Sequence, residues 1–242
     1  MRRRFFVEEV RSGQARIDGD EAHHLTKVLR VETGQRYEIS DNRSVYLAEV
    51  ETARKQEVVF RTLEKLAPEP AMVHITLCAA LIKFDHFEWM VEKATELGVA
   101  EIVPVIATRS ERGLDKAAPK RAERWRRVAL EASQQARRAH LPEILETHTL
   151  AEALAFPATY RYALDEEPGG LALAGAFPAK RSSEDSVALL IGPEGGWTDA
   201  ERQQFAVSWT PVSTGPLILR SETAAIAAMA VTANSWLVHL DA

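Results

Sequence analysis

Five apolar residues, Val187 to Ile191, run directly into Gly192-Pro193-Glu194-Gly195-Gly196, and Thr198 follows with Glu201 three residues on. An uninterrupted apolar run of this length suits a strand covered on both faces. Threonine three residues before glutamate is the pairing that closes the first turn of a helix reciprocally. A buried strand, a tight glycine loop and a helix start in direct succession belong to an α/β domain, whose ligand sites lie at the carboxyl ends of its strands.

The rest of the chain agrees with that frame from about residue 71 onward. Met72–Leu81 is nearly all apolar, and Phe87, Met90, Val91, Ala94 and Leu97 then recur at helical spacing up to Gly98, a natural C-terminal cap. Glu101–Ala107, Tyr160–Leu164 and Leu217–Leu219 read as further strands. Pro119 sits where a helix would begin, with Trp125, Val128, Ala129, Ala132 and Ala136 on one face. Before Pro68 and Pro70 the pattern is different. Arg36–Ser40, Ser44–Val50 and Glu57–Leu63 alternate with period two around short polar breaks, after one short helix at Glu21–Arg30. Two domains are therefore expected, a β-rich one over residues 1–67 and an α/β one over residues 71–242.

Composition excludes several classes. The start Met1-Arg-Arg-Arg-Phe-Phe is followed by Val7-Glu8-Glu9-Val10-Arg11, so no signal-peptide core is expected. No apolar run has the length of a membrane span. The one cysteine, Cys78, cannot form an internal disulfide, and a reduced cytoplasmic protein is expected. His23 and His24 are adjacent and point apart on a helix, while His74, His86 and His140 are scattered, so no metal is expected. The net charge is −5, yet Lys120, Arg121, Arg124, Arg126, Arg127, Arg137 and Arg138 face only Glu123 and Glu131 within one stretch. A basic stripe on an acidic chain is either a solvated helix face or a site for an acidic partner such as RNA.

The glycine loop does not fit a phosphate. It has no P-loop lysine, it lacks the GxGxxG spacing, and Glu194 would repel an anion. Glycines that allow close backbone approach, beside a carboxylate, suit a ligand without phosphates, and S-adenosylmethionine fits. A second segment, Gly215-Pro-Leu-Ile-Leu-Arg-Ser-Glu-Thr-Ala224, leads Arg220 to the start of an alanine-rich helix, whose Ala224, Ala227, Ala228 and Ala230 permit close packing within the fold or between subunits. The five tryptophans, Trp89, Trp125, Trp197, Trp209 and Trp236, are expected in core or interface, with Trp197 in the loop as the one candidate for stacking on a base.

Leu190-Ile-Gly-Pro-Glu-Gly-Gly-Trp-Thr198 together with Gly215-Pro-Leu-Ile-Leu-Arg-Ser-Glu-Thr-Ala224 closely resembles the RsmE family, 16S ribosomal RNA uridine N3-methyltransferases of the SPOUT superfamily. Matching residues extend over nearly the whole chain, from Arg4-Phe-Phe through His23-His-Leu, Val28-Leu-Arg30 and Lys93-Ala-Thr-Glu-Leu-Gly-Val99 to Arg109, Gln135, Arg138 and Pro142. Leu217, Thr214, Gln134 and Asp41-Asn42 depart from the family pattern. The resemblance implies a PUA-like β-barrel for RNA, an α/β domain with a deep trefoil knot, a homodimer, and 16S rRNA of the small ribosomal subunit as partner. A knot would not follow from composition or periodicity.

It also implies site residues. Leu164, Ile191, Gly192, Pro193, Gly195, Gly196, Leu217, Ile218, Leu219 and Ala224 are expected to hold S-adenosylmethionine. Arg4, Lys27, Arg30, Arg109 and Arg138 are expected to contact RNA. Arg220 is expected to stabilise the uracil anion as N3 loses its proton, with Glu194 or Glu222 assisting proton removal. Two rivals remain, a ribose 2′-O-methyltransferase of the same superfamily and an RNA-binding assembly factor without catalysis.

Overall fold

A computed structural model describes residues 3–68, 72–167 and 170–237. The chain forms two compact units, one of residues 1–70 and 133–141, the other of residues 71–132 and 142–242. Pro70 lies outside the described residues.

The first unit contains β1 (Arg4–Phe6), β2 (Gln14–Asp18), α1 (Gly19–Lys27), β3 (Arg36–Ser40), β4 (Val45–Arg54) and β5 (Glu57–Lys65). Its sheet runs β1-β3-β4-β5-β2, antiparallel except for β1 beside β3. Alternation sorts the faces. Ala15 and Ile17 of β2 are buried while Gln14, Arg16 and Asp18 face out, and the buried side chains join Phe5, Ile39, Val50 and Phe60 under α1. The expected PUA-like β-barrel is seen as a curled five-stranded sheet in which, among the described residues, β1 and β2 are not paired with each other. The helix expected to reach Arg30 stops at Lys27, and Arg30 itself has a left-handed φ of 54°.

Residues 133–141, expected in the second domain, are bound into this first unit. Ser40 Oγ donates to the Ala139 carbonyl at 2.6 Å, and the Leu141 amide donates to Asn42 Oδ1 at 2.7 Å. Glu38, 7% exposed, receives Arg4 Nη2 at 2.9 Å and is also paired with Arg137. A buried carboxylate costs several kcal/mol of desolvation unless it is matched, and here two guanidinium groups match it.

In the second unit come β6 (His74–Ala80), α2 (Phe84–Glu96), β7 (Glu101–Ile106), α3 (Leu114–Ala136), β8 (Glu143–Ile144), β9 (His148–Thr149) and α4 (Leu150–Leu154). Then follow β10 (Tyr160–Leu164), β11 (Leu171–Ala172), α5 (Leu173–Ala176), β12 (Ser186–Ile191), α6 (Asp199–Phe205), β13 (Thr210–Ser213) and α7 (Ser221–Leu237). The sheet order is β11-β13-β10-β12-β6-β7-β8, parallel throughout, with β9 also on β7. Each central strand feeds two cores. Ile75, Leu77 and Ala79 pack with Val187, Leu189, Phe87, Trp125 and Met229 on one face. Cys78 and Ala80 pack with Ala188, Leu190, Ala153 and Phe205 on the other. That double coverage is why β6 and β12 read as nearly unbroken apolar runs.

Two expected elements differ. The helix expected to start at Pro119 begins at Leu114, with Pro119 inside it. Leu217–Leu219 is not a strand. The strand lies earlier, at Thr210–Ser213, and Leu217 and Ile218 are 75% and 81% exposed. Apolar identity suggested burial there, but no neighbouring strand takes up the backbone hydrogen bonds of residues 217–219.

Candidate functional site

Three loops leave the carboxyl ends of β10, β12 and β13, which are adjacent in the sheet, and together they line a cleft of about 760 Å³. This is where parallel sheets bind ligands, and the volume is that of a small-molecule site.

The loop after β12 is the glycine segment. Its Gly196 amide donates to the Pro193 carbonyl at 2.9 Å, which closes the turn. Gly196 has a φ of 67°, and a Cβ there would stand 2.1 Å from Glu166 Oε1. Gly195 turns away from the cleft, and a Cβ there would meet Arg109 Cβ at 3.0 Å. The left-handed φ of Gly196 and the tight approach of Arg109 to Gly195 thus favour glycine at both positions, and Gly195, expected among the cofactor contacts, is absent from the cleft lining.

Arg109 holds the loop from behind. Its Nη1 donates to the Gly195 carbonyl at 2.9 Å and the Trp197 carbonyl at 3.2 Å. Trp197 is 1% exposed, and its Nε1 donates to the Leu164 carbonyl at 2.9 Å. It joins the ends of β10 and β12 and offers no face to a base. The expected capping box is present: Thr198 Oγ1 accepts from the Glu201 amide at 3.3 Å, and Glu201 Oε2 accepts from the Thr198 amide at 2.8 Å. Glu201 Oε1 also accepts from the Thr108 amide at 2.8 Å. Burial raises the Glu201 pKa, but these bonds from Thr108 and Thr198 outweigh it and hold the carboxyl below the usual range.

The loop after β13 runs from Thr214 to Arg220 and carries the exposed Leu217 and Ile218 along the cleft. Ser221, the first residue of α7, donates from Oγ to the Gly192 carbonyl at 2.6 Å. Ala224, one turn on, also lines the cleft.

The loop after β10 was not anticipated. It brings Asp165, Glu166 and Glu167 to the cleft wall. Arg202 of α6 grips Asp165 with Nε at 2.8 Å and Nη2 at 3.0 Å, and its Nη1 reaches Glu167 at 3.3 Å. The hydrogen bonding that Arg202 donates to Asp165 is the main cause that raises the Arg202 pKa. Asp-Glu-Glu after a strand is a visible signal, but acidic runs at strand ends are usually solvated, so the sequence did not single it out.

Of the ten expected cofactor residues, all except Gly195 line the cleft. Arg220 and Glu194 line it too. Glu222 does not; it is 4% exposed, with His86 Nδ1 at 3.3 Å from its Oε1. The lining holds four carboxylates, Asp165, Glu166, Glu167 and Glu194, and one cation, Arg220. Such a set fits a ligand that carries positive charge, as the sulfonium and ammonium of S-adenosylmethionine do, and is wrong for a nucleotide phosphate.

The expected RNA contacts fall in different environments. Lys27 and Arg30 are exposed. Arg4 is 4% exposed and committed to Glu38 and to the Arg137 carbonyl at 2.6 Å, so it serves as a structural tie. Burial lowers the Arg138 pKa to about 10, which leaves it a cation at neutral pH. Arg109 is the clamp described above. Among the described residues there is no group of three or more potential metal ligands, and no helix is long and apolar enough to cross a membrane.

Comparison with known proteins agrees with this geometry. A family model for an RNA methyltransferase domain matches residues 69–233, and one for an RNA methyltransferase PUA domain matches residues 17–63. The chain is 31% identical over 233 residues to ribosomal RNA small subunit methyltransferase E of Synechocystis, covering 92% of this chain and 74% of that one. With the Bacillus subtilis protein of the same name it shares 29% over 223 residues, 88% and 87% of the two chains. Among solved structures, the Neisseria gonorrhoeae ribosomal RNA small subunit methyltransferase E bound to S-adenosylmethionine superposes with a TM-score of 0.85 at 27% identity, over 98% of each chain.

Proposed function

The chain belongs to the ribosomal RNA small subunit methyltransferase E family, and from that premise we propose that it transfers the methyl group of S-adenosylmethionine to N3 of a uridine in 16S rRNA. The observation that carries the reading is the cleft at the ends of β10, β12 and β13, whose lining holds four carboxylates, three of them paired with Arg202, and the single cation Arg220.

S-adenosylmethionine supplies an electrophilic methyl group when bound. The residues that would hold it are Leu164, Ile191, Gly192, Pro193, Gly196, Leu217, Ile218, Leu219 and Ala224. The backbone of these loops provides donors and acceptors for an adenosine, and the carboxylates suit the charged sulfonium and ammonium. Positioning supplies much of the rate of such a transfer, because the entropy of alignment is lost on binding. The chain's own chemistry concerns the N3 proton. Arg220, the one cation of the cleft lining, stabilises the negative charge that develops on uracil as the proton leaves. Glu194, in the same cleft, is the carboxylate we assign to proton removal. Glu222, in the first turn of α7, is buried and does not line the cleft, and it is not assigned that task.

Lys27 at the end of α1, Arg30 three residues beyond it, both exposed, and the cation Arg138 are the RNA contacts of this reading. The finer features follow the same family resemblance: a trefoil knot formed by the segments around Gly192 and Ser221, a homodimer using the alanine-rich α7, and work in the cytoplasm, where ribosomes are. The Ser221–Gly192 bond between the two segments and the exposure of Leu217 and Ile218 are consistent with these features.

The test is incubation of the purified protein with labelled S-adenosylmethionine and small subunits lacking the modification, followed by nucleoside mass spectrometry. N3-methyluridine at one site is the expected result. A 2′-O-methylated product would move the enzyme to the ribose-modifying class, and absence of cofactor binding would favour an assembly factor.

A further inference from the structure

We infer that the exposed face of α3 is a second contact surface for RNA, built from Lys116, Lys120, Arg124 and Arg127, which holds the phosphate backbone of the substrate whose base enters the cleft. The inference rests on the reading of the chain as an enzyme acting on ribosomal RNA, and it says where the second unit meets that RNA.

The residues assigned to RNA so far, Lys27, Arg30 and Arg138, all belong to the first unit. The cleft belongs to the second, where Arg109, expected as a phosphate contact, is committed to the glycine loop. What the second unit offers instead is α3. This helix carries six lysines and arginines against three carboxylates, on a chain whose net charge is −5. Lys116, Lys120, Arg124 and Arg127 recur at intervals of four, four and three residues, which puts them on one side of the helix, and all four are exposed. The opposite side, with Ala118, Trp125 and Ala129, is buried in the core.

A helix face that only meets water is commonly laced with charges of alternating sign. Here like charges follow one another from Lys116 to Lys120 to Arg124, at a spacing where they repel. The neighbouring carboxylates do not cancel them. Glu88 of α2 lies 3.3 Å from Arg124 and 3.7 Å from Arg121, and Glu131 lies 3.2 Å from Arg127, but the three arginine side chains are each more than half exposed. Exposed pairs of this kind contribute little and are screened by salt, so a phosphate can displace them. Glu123 shares the face, yet among the described residues Lys116 and Lys120 make no ion pair. Arginine at two of the four positions offers the forked donors that suit phosphate.

The helix is also placed for the task. It follows β7, and in a parallel sheet the carboxyl end of β7 shares an edge with those of β10, β12 and β13, where the cleft opens. The connection from β7 to α3 reaches the cleft's glycine loop through Arg109. Lys116 stands in the first turn of α3, next to that connection, and the other three cations lead away from it along about 16 Å of helix at 1.5 Å per residue. Phosphate contacts of this sort set register and orientation without reading sequence.

The test compares wild-type protein with the triple variant Lys120→Gln, Arg124→Gln, Arg127→Gln in binding to small subunits lacking the modification and to protein-free 16S rRNA, over a series of salt concentrations. The plot of log affinity against log salt should flatten by about 2 in the variant, the loss of three phosphate contacts at about 0.7–0.9 each. S-adenosylmethionine Kd should not change, because none of the three residues lines the cleft. At about 0.15 M salt, charges more than about 8 Å apart are largely screened, so weaker binding that persists there reports local contact and not net charge. A slope equal to that of wild type, with cofactor affinity intact, would overturn the inference and leave α3 a solvated face. Weaker binding to subunits with unchanged binding to protein-free RNA would put an acidic ribosomal protein on this face and overturn it too. If the triple variant does not fold, Lys120→Gln decides, with an expected flattening of about 0.7–0.9. Wild-type protein that binds neither subunits nor RNA would overturn the RNA reading and this inference together.

Discussion

Ser221 Oγ reaches the Gly192 carbonyl at 2.6 Å, so that the start of α7 and the end of β12, 29 residues apart in sequence, share one hydrogen bond at the edge of the cleft. Ser221 is 5% exposed, whereas Gly192 is only partly buried and lines the cleft, so water can replace the lost hydroxyl. Ser221→Ala should cost about 0.5–1.5 kcal/mol of stability, the net worth of one hydrogen bond. Cofactor affinity should fall several-fold in the same variant. Chemical denaturation and calorimetry on the same preparation check both.

Gly196→Ala introduces two separate problems. A Cβ would stand 2.1 Å from Glu166 Oε1, and the φ of 67° is unfavourable for alanine. The left-handed conformation alone costs about 1–2 kcal/mol. Glu166 is a flexible side chain, so Gly196→Ala combined with Glu166→Ala should recover the clash but not the backbone term. A double-mutant cycle on the midpoint of urea unfolding separates them.

Arg220→Ala should lower kcat about 100- to 1000-fold, the effect of removing one group that stabilises developing negative charge. Cofactor Kd should change little, since the cleft's carboxylates and backbone remain. Single-turnover methylation of small subunits, with Kd measured in parallel, is the check. A normal kcat would remove Arg220 from the mechanism.

Glu201 links stability to acid. Its folded-state pKa lies below the ordinary carboxylate value of 4.5, because the Thr108 and Thr198 bonds outweigh burial. A carboxyl whose pKa is depressed by folding contributes stability that is present above the unfolded pKa and lost as pH falls through the folded value. Wild-type protein should therefore lose more stability than Glu201→Gln as pH falls from neutral to below 4.5. Thermal melts at stepped pH show whether the two curves converge.

Glu38→Gln leaves Arg4 and Arg137 around a neutral amide. Arg4 is 4% exposed, and breaking a buried ion pair from one side costs about 3–5 kcal/mol. The loss should appear as a lower unfolding midpoint, with greater proteolysis between residues 133 and 141, whose Arg137 is one of the two partners. Unchanged proteolysis there would mean that Ser40 and Asn42 suffice to hold the segment.

The sequence displayed the central strands clearly because β6 and β12 are buried on both faces and are apolar but for their first residues and Thr76. It displayed the capping box for a related reason, since Thr198 and Glu201 act over three residues and their chemistry is local. Leu217–Leu219 misled because apolar side chains exposed beside a ligand cleft have the composition of a strand. Pro119 misled because its preference for a first turn is statistical, and α3 accommodates it in the interior. Nothing local marks Asp165 as the partner of Arg202, 37 residues away. Likewise, the environment of Glu222 depends on His86, more than a hundred residues earlier, so a helix-start carboxylate and a catalytic one look alike until α2 is in view.

The return of residues 133–141 to the first unit bears on how such a protein can be assembled or taken apart. A fragment ended at residue 70 would keep Arg4, Glu38, Ser40 and Asn42 but lose the Arg137 guanidinium, the Ala139 carbonyl and the Leu141 amide that complete their contacts. Covalently, then, the module is not a cassette. A single crossover between two related genes near residue 70 would join one parent's sheet to the other parent's strap, and chimaeras should survive only where residues 4, 38, 40 and 42 are inherited together with residues 137–141.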